Sequence, residues 1–528
     1  MGGRRNVSHL FGIAVTGCAA LLSASLVTSA WAGLAGAQTS HSAQTSHVTA
    51  SVAGTYVPLT PSRITDTRAG SGYPNAGNTL GTGGSINIQV TGVGAVPASG
   101  VTAVVVNVTV VGPTAPSYVT VFPEGTTQPV VSNLNFTPGE TLANLATVPL
   151  GSQGGITVYN FNGSVNVVVD VEGYYTTASQ TSGLYNPVNP LRVLGTLAVG
   201  ASIGPGVSRA VTVAGVDGVP ADASAVVANV TAAGSNAPGF LTVFPAPASG
   251  TPAPPLASNV NFVTGQVIPN RVIIPVGSNG QIEVYNSSGT VNVDVDLNGY
   301  YTGSAGELGS AYTPMSPVRV TDTRVGRNGT PVSPSASESF SFLSEGLSST
   351  ATALVANVTV VAGAAAGYLT VYPTTDVSPP AASDVNFTAN SIAQSFTLAP
   401  LNGAATDLFN SSAVPVNVVI DAFGFFAPPP PATTVTANPT SLPADGTSTS
   451  VVSVTVTTGS GVAFNDPVTL TTTPSAAGSC GTATAPGSTN ASGQVTSTYT
   501  ASTTVGTCTI KATEANGGNS GTVVITQT

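Results

Sequence analysis

Val104-Val-Val-Asn-Val-Thr109 decides the fold, because the chain writes it three times. It returns as Val226-Val-Ala-Asn-Val-Thr231 and as Leu354-Val-Ala-Asn-Val-Thr359, at offsets near 125 residues. Other blocks recur around it in fixed order. Upstream, Tyr56-Val-Pro-Leu-Thr-Pro-Ser-Arg63 matches Tyr185 to Arg192 and Tyr312 to Arg319. Downstream, Tyr118-Val-Thr-Val-Phe-Pro123 matches Phe240 to Pro245 and Tyr368 to Pro373. Ser132-Asn-Leu-Asn-Phe136 matches Ser258 to Phe262 and Ser383 to Phe387, where Asp384 replaces the first Asn. Each copy closes on an Asp followed by Gly and two aromatics: Asp170 with Gly173-Tyr-Tyr175, Asp296 with Gly299-Tyr-Tyr301, and Asp421 with Gly424-Phe-Phe426. A constant order at a constant offset identifies internal repeats.

Each copy reads as β structure. Short segments rich in Val, Thr and aromatics alternate with Gly, Pro, Ser and Asn clusters, and no window sustains a helical period. In the first copy the pattern predicts strands near 86–91, 101–111, 117–123, 131–136, 142–149, 155–160 and 165–171. That many strands in a unit of this size predict an antiparallel sandwich with its own core. Propeller blades are much shorter, about 40–50 residues. The expected fold is all-β: tandem antiparallel β-sandwiches, beads on a string, with an immunoglobulin-like sandwich at the C-terminus.

The expected organisation is a signal peptide over 1–32 (alternative end 37), a leader over 33–54, repeats over 55–177, 184–303 and 311–427, a proline-rich linker over 428–432 and the last domain over 433–528. Arg4 and Arg5 precede an apolar run, and Ala30-Trp-Ala32 has the small-residue form of a cleavage site. A retained anchor and lipidation at Cys18, which follows Val15-Thr-Gly17, are the rival readings. Neither a second apolar segment nor a sortase motif follows, so the predicted location is secreted or cell-surface.

Only 6% of residues are charged, against roughly 25% in an ordinary soluble chain. The net charge of −10 and the absence of a basic stripe argue against nucleic-acid binding. When charge is this scarce, a charged residue kept in every copy needs a reason. Arg63, Arg192 and Arg319 meet that test in the opening segments, and Asp170, Asp296 and Asp421 in the closing ones. The expectation is a structural Arg–Asp pair within each copy; a ligand-binding carboxylate is the alternative. A second motif, Asp66-Thr-Arg68 and Asp322-Thr-Arg324, is replaced in the middle copy by Gly195-Thr-Leu197. It is either a surface motif of two copies or a local turn salt bridge. Asn107, Asn229 and Asn357 interrupt apolar strands and need hydrogen-bond partners there, which disfavours glycosylation of the N-V-T triplet. The closing aromatic pairs alternate faces, so at most one ring of each is free for sugar stacking and a core role is favoured.

Cys480 and Cys508 form an even pair in a chain read as secreted, and a disulfide between them is expected. His9, His41 and His47 all precede the repeats and cannot complete a Ser/His/Asp set within them. The sequence carries no cofactor, metal or phosphate-binding fingerprint. The expectation is therefore no enzyme, with a hydrolase of unrecognised site as an alternative.

The three copies, over 56–427, resemble a repeat of secreted actinobacterial proteins. It opens P-x-R-[IVL]-x-D-T-R, continues N-V-T and S-N-x-N-F, and closes D-V-x-G-Y-[YF]. The middle copy departs at D-T-R. Residues 433–528 look like the Big-1 bacterial immunoglobulin-like module of invasins and intimins, on P-A-D-G-T-S at 443–448, D-P-V-T-L at 466–470 and G-Q-V-T-S-T-Y-T at 493–500. These resemblances imply surface location and an adhesive or stalk role. The expected function is a non-catalytic structural or adhesion protein. Its expected partners are a cell-wall or environmental glycan, a host or neighbouring cell surface, or itself as a surface layer.

Overall fold

The computed structural model describes residues 53–528 apart from 178–181, 217, 305–307, 429–431, 459–460, 463–464 and 516–518. The signal segment with Cys18, the leader up to residue 52 and most of the proline run lie outside the described residues.

In the first copy, alternation of Val with polar residues produces eight strands: β1 Thr55–Asp66, β2 Ser85–Gln89, β3 Val101–Val111, β4 Ser117–Pro123, β5 Leu134–Phe136, β6 Thr141–Pro149, β7 Gly155–Asn160 and β8 Asn166–Thr176. They form two antiparallel sheets, β1-β8-β3-β6 and β2-β7-β4-β5. The sheets pack face to face on one core, in which Val104, Val106 and Val108 meet Val119, Val121, Ile156 and Val158. The copies at 185–301 and 311–427 repeat this strand order in both sheets, each around its own core. The C-terminal segment makes a further sandwich of two five-stranded sheets, built on Val452, Val454, Tyr499 and Ile510. Tandem antiparallel sandwiches are thus the architecture of the chain. Among the described residues, helix is confined to a four-residue turn at Thr196–Val199 and two 3-10 turns, and no helix is long and apolar enough to cross a membrane.

The predicted strands recur within a few residues, with one omission. The opening segment, twelve residues from Thr55 to Asp66, is itself a strand. Pro58 and Pro61 make it look unsuited to a sheet. It is tolerated because β1 is an edge strand, and its register with β8 slips between Pro58 and Ser62.

Each bead keeps its own core, and the three repeat beads also share a fourth. On β3, Val104, Val106 and Val108 face the copy's own interior, whereas Ala103 and Val105 join Ala225, Val227, Ala353 and Val355 in a common cluster. A central strand buried on both faces reads as a continuous apolar run, and that is the form of VVVNVT.

Candidate functional site

The shared centre has three-fold character down to single hydrogen bonds. The Tyr56 N–H donates to the Gly183 carbonyl at 2.9 Å, Tyr185 N–H to Ser310 at 2.8 Å, and Tyr312 N–H to Gly54 at 2.9 Å. The opening of each copy thereby bonds to the opening of the next, and the third closes on the first. Six rings follow the same cycle. Tyr56 lies 4.4 Å from Tyr301, Tyr185 4.5 Å from Phe426 and Tyr312 4.3 Å from Tyr175. The hydroxyls of Tyr175 and Tyr301 bond to each other at 2.6 Å, and the third copy has Phe426 in that place. Burial raises the pKa of the tyrosines here, so their hydroxyls stay neutral. The outer aromatics Tyr174, Tyr300 and Phe425 pack against their own copy's core. The buried partner of each pair therefore serves the centre between copies.

The glycine before each closing pair is required by this packing. A Cβ at Gly173, Gly299 or Gly424 would run into the ring of Tyr56, Tyr185 or Tyr312 of the same copy.

The strand asparagines bond across copies rather than to neighbouring strands. Asn107 Nδ2 donates to the Ser258 carbonyl at 2.5 Å, Asn229 to Ser383 at 2.7 Å and Asn357 to Ser132 at 2.7 Å. Asn144 and Asn270 complete two of these contacts, donating to Asn357 Oδ1 and Asn107 Oδ1 at 2.9 Å each. The third copy has Ser395 at that position, and Asn229 Oδ1 is buried without a hydrogen bond.

Each Arg–Asp pair forms within its copy as a two-pronged contact. Arg63 Nε donates to Asp170 at 2.8 Å, and the corresponding distances from Arg192 to Asp296 and from Arg319 to Asp421 are both 2.8 Å. The carboxylates also reach the next copy: the Ser132 N–H donates to Asp421 at 3.0 Å, and the Ser258 N–H bonds Asp170.

The D-T-R motif supports this pair. Arg68 and Arg324 fold back onto Asp66 and Asp322 with two bonds each, and those aspartates stand 3.5 and 3.6 Å from Arg63 and Arg319. In the middle copy, which lacks that aspartate, Asp294 takes its role beside Arg192 at 2.9 Å. The retained threonines, Thr67, Thr196 and Thr323, accept the N–H groups of Val167, Val293 and Val418. The motif is therefore a local turn salt bridge in which only the threonine is common to all three copies.

The three contacts between copies differ at one place, two residues past the paired aspartate. Glu172 of the first copy is fully buried against the second, accepting from Asn259 Nδ2 at 2.5 Å and Ile273 N–H at 3.2 Å. Burial pushes its carboxyl up to about 8 against the opposing pull of those donors. At the next contact Asn298 and Arg271 of the second copy meet Asp384 of the third, the guanidinium bonding both side chains. This explains the Asp in the third copy's S-D-x-N-F. At the closing contact Phe423 lies in the apolar cluster with Val131 and Leu145. A neutral acid, an ion pair and an apolar contact thus distinguish three otherwise equivalent surfaces, and unpaired polar groups would penalise a wrong neighbour.

Away from the centre, the second sheet of each copy carries a part-exposed aromatic pair on its outer face. The pairs are Tyr118 with Phe161 (4.9 Å, stacked), Phe240 with Tyr285 (6.5 Å) and Tyr368 with Phe409 (6.5 Å). An open groove of about 660 Å³ lies between the first copy and Pro314–Ser316 of the third, and its lining has no ionisable side chain. A second, of about 540 Å³, is lined by Arg192 and Arg209. Among the described residues no group of three His, Cys, Asp or Glu is placed to hold a metal ion.

In the C-terminal sandwich Cys480 and Cys508 are disulfide-bonded, their Cα atoms 4.9 Å apart. Compared with known proteins, the chain matches no family model and no curated protein.

Proposed function

We propose that the chain is a non-catalytic structural or adhesion protein of the cell exterior. Its three repeats act as one rigid head, and the C-terminal sandwich is a further module of the same display. The observation that carries this reading is the closed cycle of Tyr56–Gly183, Tyr185–Ser310 and Tyr312–Gly54 bonds around six buried rings. It commits the charged residues repeated in every copy to framework and leaves outward faces in three-fold repetition. The disulfide supports an oxidising compartment.

Fractionation of producing cells into medium, wall and membrane tests the location, and recovery only from the cytoplasm would refute it. A screen of the purified chain against glycan and ester substrates tests the role. Turnover that survives repurification would favour the hydrolase alternative.

A further inference from the structure

The outer aromatic pairs lie outside the shared aromatic cluster, although the Tyr118 ring also comes near Arg319 of the third copy, and every copy carries such a pair. An aromatic stands at 118, 240 and 368 on one strand and at 159, 285 and 409 on its neighbour, but in the first copy the ring stacked on Tyr118 is Phe161, two residues further on, where the other copies have Ser287 and Ser411. Alternation places them on the face opposite the copy's core, since Val119, Val121 and Val158 point inward. All of these rings are partly exposed, and Tyr368 is 38% exposed. Other positions on the same face have diverged: Asn87, Ala210 and Ser339 correspond, as do Thr157, Glu283 and Asp407. A diagonal aromatic pair does stabilise a sheet. That alone does not account for keeping half-exposed rings in all three copies while their neighbours vary.

The polar surroundings are also repeated. Asn135, Asn261 and Asn386 stand directly across from Tyr118, Phe240 and Tyr368. Their amides donate to Ser132, Ser258 and Ser383 at 3.2, 3.3 and 3.2 Å, and Asn135 also donates to Gln394 of the third copy at 3.2 Å. An exposed aromatic face with a fixed amide beside it combines apolar area with directional hydrogen bonding, as ligand sites do. A pyranose ring offers the matching surface, with axial C–H groups on its face and hydroxyls at its edge. Asp407 lies beside the third pair and disfavours an anionic sugar there.

We propose that the three pairs are related stacking sites for a neutral polysaccharide, the first a flat stack and the other two tilted diagonal pairs, bound weakly at each site and firmly by all three. This gives a ligand class to the extracellular reading above and rests on it only for access to such a polymer.

The test is retention of the purified full chain on insoluble cellulose, chitin, β-1,3-glucan, mannan and starch. Binding to at least one is expected. The triple variant Tyr118→Leu, Phe240→Leu, Tyr368→Leu keeps apolar bulk but removes one ring of each pair, and should bind about 100-fold more weakly through lost avidity. Tyr368→Trp, which keeps a ring, should bind as well as the parent or better. No retention on any of the five polymers overturns the proposal, as does equal retention of the triple variant. If the triple variant fails to melt cooperatively, Tyr368→Leu alone carries the test: unchanged retention counts against the proposal and reduced retention supports it. Failure here leaves the location of the protein, tested by fractionation, untouched.

Discussion

Arg63 grips Asp170 through two N–H donors, at 2.8 and 3.2 Å, and Asp170 passes the contact on to the Ser258 N–H of the next copy. One carboxylate thus closes its own sandwich and docks its neighbour. Asp170→Asn removes the two-pronged partner of an arginine side chain only 10% exposed, leaving Asp66 at 3.5 Å as its nearest carboxylate. Removing one partner of a buried pair costs about 3–5 kcal/mol. Chemical denaturation should show a loss of that order, and an unchanged midpoint would refute the role assigned to the pair.

Arg271 and Asp384 form an inter-copy ion pair whose counterparts in the first copy, Leu145 and Asn133, are uncharged. Asp384→Asn alone should destabilise by about 3–5 kcal/mol, because the guanidinium stays buried. Adding Arg271→Leu should recover much of that loss, since the double variant carries the residues of the first copy. A double-mutant cycle measures the coupling, and additive losses would show that the two residues act separately.

Glu172 predicts a pH dependence. Its carboxyl is raised by burial from the ordinary 4.5 to about 8. Below 4.5 it is protonated in both folded and unfolded states. Between there and about 8 the unfolded chain ionises while the folded chain holds the proton, so stability falls as pH rises, by roughly 5 kcal/mol at most. Glu172→Gln removes that titration. Denaturation midpoints measured from pH 5 to 8 should fall more steeply for the parent chain than for the variant; parallel curves would contradict the assignment.

Gly173 lies where any Cβ collides with the Tyr56 ring. Gly173→Ala should push that ring off its contact with Tyr301 and cost about 1–3 kcal/mol by overpacking. The near-ultraviolet circular dichroism of the tyrosine cluster should weaken with it, and an unaltered spectrum at parental stability would be inconsistent with this packing.

The Cys480–Cys508 bond closes a loop of 28 residues. Its reduction should destabilise the C-terminal sandwich by about 3–4 kcal/mol on the chain-entropy account. The tyrosine signals of the repeat centre should remain. Joint loss of both signals on reduction would show the two parts to be coupled.

Much of this was legible in the residues. The repeat blocks, their alternation and the even cysteine pair specify sandwiches, copy number and disulfide, because strand periodicity and chain spacing are local properties. The Arg–Asp pair was legible too, because charge kept in every copy of so poorly charged a chain stands out. The edge strand at Thr55–Asp66 was hidden by its prolines. The destination of Asn107 was hidden as well. Its amide points to a carbonyl 151 residues away in another copy, and a strand's sequence does not say what covers its second face. Two signals were present: the unbroken apolar run of VVVNVT and the lone Asp384 among asparagines.

The sequence by itself determined three like sandwiches and a fourth unlike one, since each strand's pattern is fixed by its own neighbours. Only the tertiary structure decided that the three close into a ring around six aromatic residues, with Glu172, Arg271–Asp384 and Phe423 distinguishing the contacts. The physical reason is that this ring is made by side chains more than a hundred residues apart, whose fit depends on shape and desolvation in three dimensions, and no periodicity along the chain encodes either.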